Sequence, residues 1–128
     1  MISGVVTDDR QALVRLIVRG PAGKEQEVEA IIDTGFDGWL SLPSSIISSL
    51  DLMWRRRGRA LLADGGESIF DIYEAVVIWD SEARRIPVDQ AETTPLVGMS
   101  LLEGYELTVQ AQAGGNVTIA ALSQSKHD

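Results

Sequence analysis

The run Ala30-Ile31-Ile32-Asp33-Thr34-Gly35 constrains this chain more than any other stretch, because it carries one carboxylate out of an apolar segment onto a glycine turn. Upstream, Glu27, Val28, Glu29 and Ala30 alternate polar and apolar, the pattern of a half-buried strand. Ile31 and Ile32 break the alternation, so the end of that strand is expected to be covered on both faces. A charge delivered there must be met by hydrogen bonds, since desolvating it alone is costly. Gly35 supplies a backbone N–H that approaches the carboxylate with no Cβ in the way, and the Thr34 hydroxyl both donates and accepts. Asp33 is therefore a candidate for carboxylate chemistry, set against the plainer reading of an Asx turn that only shapes a loop.

Length and composition narrow what can surround that turn. The chain has 128 residues and 13.9 kDa, enough for one domain with its own core. That domain is expected over 1–122, with a polar tail over 123–128. Zero cysteines exclude thiolate nucleophiles, disulfides and Cys-based zinc sites. The single histidine, His127, lies in the tail, where a Ser-His-Asp device has no anchorage. A net charge of −8 argues against nucleic acid as a partner. No apolar run reaches the length of a membrane span, and Met1 to Arg10 lacks a basic-then-apolar leader, so a cytoplasmic protein is expected. The basic cluster Arg55-Arg56-Arg57-Gly58-Arg59 reads as a solvated face or the charged end of a preceding helix.

Alternation and turn residues predict strands at Ile2–Val6, Ala12–Val18, Gln26–Ile32, Trp39–Leu42, Arg59–Ala63, Ile69–Val77, Arg85–Val88, Glu106–Ala113 and Asn116–Ala120. Gly20-Pro21-Ala22-Gly23 and Gly114-Gly115-Asn116 are turn signals between them. Short strands at this spacing indicate an all-β barrel or sandwich. Two short helices are expected: one capped by Ser44 or Ser45 and running to Leu52, and one over Met99 to Glu103, ended by Gly104. Trp39, Trp54 and Trp79 read as core or rim packing.

Competing motifs fail on chemistry. Asp33 to Gly38 starts like a calcium loop, but an oxygen ligand is missing at the third place and Ser44 stands where a bidentate Glu is needed. Gly20-Pro21-Ala22-Gly23-Lys24-Glu25 is too short for a phosphate loop and has no Ser or Thr after its Lys. Asn116-Val117-Thr118 is a glycosylation sequon without an accompanying secretory signal.

Two further segments follow the Asp-Thr-Gly turn in an order and at a spacing that agree with it. Arg59 to Phe70 reads as a hairpin with a Gly-rich tip, Ala63-Asp64-Gly65-Gly66. Pro95-Leu96-Val97-Gly98-Met99-Ser100-Leu101-Leu102 offers two apolar residues, a glycine and a helix start. Together, from about Val14 to Leu107, the chain resembles the retropepsin-like aspartic proteases: active-site turn, flap, and hydrophobic-hydrophobic-Gly segment. The resemblance implies a closed acid-protease barrel and hydrolysis of peptide bonds without metal or cofactor. It implies Asp33, Thr34 and Gly35 as the catalytic turn, with Thr34 bonding across a dimer axis. It further implies Phe36, Asp37, Ala63, Asp64, Gly65, Gly66, Val97 and Gly98 around a peptide bound as an added strand.

Aspartic proteases use two carboxylates that share a proton, and this chain has one Asp-Thr-Gly and no internal repeat. The second carboxylate is therefore expected from another copy, in a two-fold homodimer. Phe36 departs from the small residue that follows the retroviral glycine, and Met99 occupies the place of a basic residue that ties retroviral dimers together. The alternative reading is a dimeric peptide-binding or assembly module that keeps the fold without efficient turnover.

Overall fold

The computed structural model describes residues 1–123 and is built almost wholly of strands. The polar tail expected over 123–128, His127 included, lies outside the described residues apart from Ser123. In chain order the elements are β1 (Ile2–Val6), β2 (Ala12–Arg19), β3 (Glu25–Ile32), β4 (Leu40–Leu42), α1 (Ser44–Ser49), β5 (Met53–Leu61) and β6 (Glu67–Trp79). They continue with β7 (Glu82–Gln90), β8 (Leu96–Val97), α2 (Met99–Leu102), β9 (Tyr105–Val109) and β10 (Asn116–Ala121).

One ten-stranded sheet runs β5-β6-β7-β4-β8-β3-β2-β1-β10-β9. It closes on itself because β2 also pairs with β6, Ile17 opposite Ile78 and Val18 opposite Val77. Closure buries one face of each contributing strand, which is what the period-2 patterns demand. In β2, Val14, Leu16 and Val18 are buried while Arg15 faces solvent. In β6 and β7 the same alternation buries Val77, Trp79, Ile86 and Val88. The core joins these to Leu40, Leu42, Leu101, Val117 and Ile119. Trp79 is fully buried and meets Tyr105 edge-on at 5.7 Å, whereas Trp54 lies on the surface.

Three expectations need correction. The arginines at 55–57 do not follow a helix; they lie inside β5, which is longer than its apolar content announces. They stay exposed and meet acidic neighbours across the hairpin, Arg55 with Glu74 and Arg57 with Asp71. The first helix stops at Ser49, and neither Ser44 nor Ser45 caps it with a side chain. Instead the Glu92 carboxylate accepts the Ser44 N–H at 3.1 Å and the Ser44 hydroxyl at 3.0 Å. These bonds, with one from the Gln90 side chain, lower the Glu92 pKa; the Gln90 bond contributes most. The strand expected to run on to Ala113 ends at Val109, and the link to β10 turns through Gly114 at φ +79°. Among the described residues no helix is long and apolar enough to cross a membrane.

Candidate active site

The apolar run Ala30-Ile31-Ile32 is the end of β3, and its double coverage has a specific cause. Chain leaving β3 turns through Asp33–Trp39 and returns as β4, and β8 is threaded between those two strands. Ile32 pairs in parallel with Val97, and Leu40 pairs antiparallel with the same Val97. A two-residue strand thus locks both ends of the turn.

Backbone hydrogen bonds then tie the turn to the segment that follows β8. The Asp33 N–H donates to the Val97 carbonyl at 2.9 Å, and the Gly98 N–H donates to the Trp39 carbonyl at 3.0 Å. The Met99 N–H donates to the Phe36 carbonyl at 2.8 Å and the Ser100 N–H to the Gly38 carbonyl at 3.0 Å. The Ser100 hydroxyl adds a bond to the Asp37 carbonyl at 2.6 Å. Gly98 is required here, because a Cβ on it would lie 2.2 Å from the Gly38 oxygen and 2.7 Å from the Phe36 ring. Buried Ser41 accepts the Leu96 N–H at 3.2 Å, a support that nothing in the sequence marks.

The turn presents its carboxylate as the sequence leads one to expect. Gly35 donates its N–H to Asp33 Oδ1 at 2.9 Å, and the Phe36 N–H donates to the Asp33 carbonyl at 3.1 Å. Asp33 is half-buried, while Thr34 and Gly35 are exposed. Asp33 and Thr34 border a hollow of about 440 Å³ whose other walls are Ile31, Ile32, Leu96, Leu107, Val109 and the Arg10–Ala12 corner. Gly35, Phe36 and Asp37 face the opposite way, into a cleft of about 690 Å³. The Asp-Thr-Gly turn therefore stands between two depressions.

The larger cleft lies between the turn and the β5–β6 hairpin. Its roof is the hairpin shank, Arg59, Ala60, Leu61, Ser68 and Phe70, and its floor includes Ser41, Asp89, Gln90 and Leu96. The expected tip, Ala63-Asp64-Gly65-Gly66, does form the turn, with the Gly66 N–H bonded to Asp64 Oδ1 at 2.8 Å and Gly65 at φ +88°. It projects past the cleft, and its residues are not in the lining. Val97 is fully buried and Gly98 is sealed behind Phe36, so Leu96 is the residue of that segment that reaches the cleft.

Asp89 is the group that sequence reasoning passed over. It sits in β7 opposite Ser41 of β4 and Ile72 of β6, and its Oδ2 comes within 3.4 Å of where a Cβ on Gly38 would stand. Burial pushes its pKa above the usual aspartate range; Asp37 adds to that rise, and Arg56 opposes both. Within the sequence Val88-Asp89-Gln90 is unremarkable, since only the tertiary pairing of β7 with β4 brings it to the cleft. Among the described residues no three or more His, Cys, Asp or Glu side chains are placed to hold a metal ion.

No sequence-profile family matches this chain, and no curated protein does. Solved structures do. EIAV protease complexed with the inhibitor HBY-793 superposes with a TM-score of 0.56 at 12% identity, over 74% of this chain and 88% of that one. A retropepsin-like aspartic protease from Rickettsia conorii superposes with a TM-score of 0.60 at 17% identity, over 95% of this chain and 91% of that one. With the closed sheet, the threaded β8 and the Asp-Thr-Gly turn already in place, these likenesses establish that the chain has the retropepsin-like fold of aspartic proteases.

Proposed function

We propose that this protein is an aspartic endopeptidase whose active site is shared by two copies of the chain. The observation that supports it most is the Asp33 carboxylate, held by the Gly35 N–H on a turn locked from behind, beside a cleft wide enough for a peptide. In this reading Asp33 of each copy holds a water between them. Two carboxylates so close do not both ionise, so one takes a proton from the attacking water. The other, protonated, donates to the carbonyl oxygen, and the roles reverse as the amine leaves. Thr34, exposed beside Asp33, bonds across the axis, and the β5–β6 hairpin acts as a flap. An extended peptide lies under the hairpin shank as an added strand. Phe36, Asp37, Leu96 and Asp89 line its side-chain pockets.

One observation favours a second reading, a peptide-binding module without turnover. The cleft is complete within a single chain, whereas the dyad is not. Turnover of a mixed peptide library by the parent and by Asp33→Asn in parallel separates the two. The enzyme reading expects cleavage by the parent and loss of at least ~10³-fold in Asp33→Asn, since an amide does not shuttle the proton. Binding without cleavage by both would favour the module, and equal cleavage rates would place the chemistry on residues other than Asp33.

A further inference from the structure

The sheet face that floors the cleft continues past Asp89. Residues directly opposite each other on β6 and β7 share a face, and Ile72 stands opposite Asp89 as Glu74 does opposite Pro87. On β5 the same face carries Gly58, opposite Phe70, and Arg56, opposite Ile72. Phe70 and Asp89 line the cleft, whereas Ile72, Glu74, Pro87 and Arg56 line a second hollow of about 530 Å³. On β6 and on β7 alike, the step from one depression to the other is two residues, about 7 Å along the strand. An extended chain leaving the cleft past Phe70 and Asp89 therefore enters the second hollow with its next two residues.

Charge changes sign along this path. The cleft presents Asp37 and Asp89. The second hollow sets Arg55, Arg56 and Arg85 against one carboxylate, Glu74, a net charge of +2 in a chain of net −8. Glu74 is held from both sides: the Arg55 Nε–H donates to Oε1 at 2.9 Å, and Arg85 Nε stands 3.4 Å from Oε2. Arg56 has no ion pair among the described residues. Its charge reaches Asp89, where burial raises the carboxylate pKa and Arg56 opposes that rise. Ile72 and Ile86, both buried, give the hollow an apolar wall, beside which a charge pair is stronger than in open water.

We propose that this hollow is a subsite for an acidic side chain of the bound peptide, an aspartate or glutamate within the two residues beyond the part held in the cleft. This rests on the reading of the cleft as a peptide groove, whether or not Asp33 then cuts the chain. Arg56 donates to that carboxylate, while Arg55 and Arg85, fixed by Glu74, keep the hollow positive. A lysine or arginine at the same place is repelled. The net −8 opposes a polyanion as occupant, whereas one carboxylate on a strand already held by the cleft needs only a local charge.

The test selects binders from a random peptide library on Asp33→Asn protein, in which bound peptide persists. Selected sequences are expected to align with Asp or Glu at one fixed position. For one such peptide, replacing the acid by Ala and adding Arg56→Gln to the protein are each expected to raise Kd about 5-fold, and both together little more. Arg15→Gln makes the same charge change on the exposed face of β2, and should leave Kd within ~2-fold. Binders without an acidic position, two effects that multiply, or an Arg15→Gln effect as large would each overturn the subsite and leave the endopeptidase reading untouched. A parent that binds the selected peptides without cleaving them would overturn the chemistry at Asp33 and leave the subsite standing. A library that yields no binder would overturn the peptide groove and the subsite with it.

Discussion

The Asp33–Gly38 turn and the β5–β6 hairpin are held by different physics. The backbone of residues 33–38 is bonded to β8 and to the start of α2 at Asp33, Phe36 and Gly38. The β5–β6 hairpin beyond Trp54 is regularly paired but exposed along β5, where only Gly58 is half-buried. Its cross-strand charges, Arg59 with Glu67 and Arg57 with Asp71, stand 3.8 Å apart in solvent. Exposed pairs at that distance contribute little. One region has its geometry set by backbone packed on backbone, whereas Arg57–Leu61 and Glu67–Asp71 are paired only with each other. That division suits the proposed site, in which one carboxylate would stay put while a roof admits a peptide.

The sharpest way to break the comparison is to add one methyl group to each region. In Gly98→Ala the new Cβ meets the Gly38 carbonyl oxygen at 2.2 Å, a backbone atom that cannot yield without moving the turn. We expect a loss of about 3 kcal/mol in urea denaturation, and cleavage falling with it. In Gly58→Ala the nearest atoms are the ring of Phe70 at 2.7 Å and the end of Ile72 at 2.8 Å, both on side chains that rotate away. The expected loss is about 1 kcal/mol. Equal costs at the two positions would erase the distinction between a fixed floor and a yielding roof.

A smaller effect probes the floor from its other side. Asp89 holds its proton more tightly in the folded protein than in the unfolded chain, because burial, and then Asp37, raise its pKa against the pull of Arg56. The folded state therefore binds more protons, and stability falls as pH rises from the usual aspartate value through the higher folded one. Asp89→Asn removes the charge that causes this fall. It should be more stable than the parent at neutral pH, and the difference should vanish below the usual aspartate range. Denaturation curves at the two pH values check the sign; a parent favoured at neutral pH would mean that Asp89 is ionised and paired.

Much of the fold was legible because alternation and turn chemistry are local. β1 is bounded as its alternation predicts, and β2, β3 and β10 differ from their predicted bounds by a single residue at an end. What escaped was set by tertiary contact. β8 has two residues and no period, and it exists because β3 and β4 hold it from both sides. The arginines of β5 show no alternation because that strand has almost no buried face. The N-terminus of α1 is met by Glu92, 48 positions away in sequence. The site divides in the same way. Asp33, Gly35 and the close packing at Gly98 follow from local pattern, whereas Ser41, Asp89 and the lining by the hairpin shank depend on which strands the barrel brings together.

The central claim is that one chain holds half of an active site. Mixing tests it most directly: parent and Asp33→Asn protein are combined at constant total concentration, left to exchange, and assayed for peptide cleavage. If both carboxylates of a pair are required, only parent–parent dimers work, and activity follows the square of the parent fraction. An equal mixture should then retain roughly a quarter of the parent rate. A rate near one half, falling linearly with parent fraction, would show that each chain acts alone and would contradict the shared site.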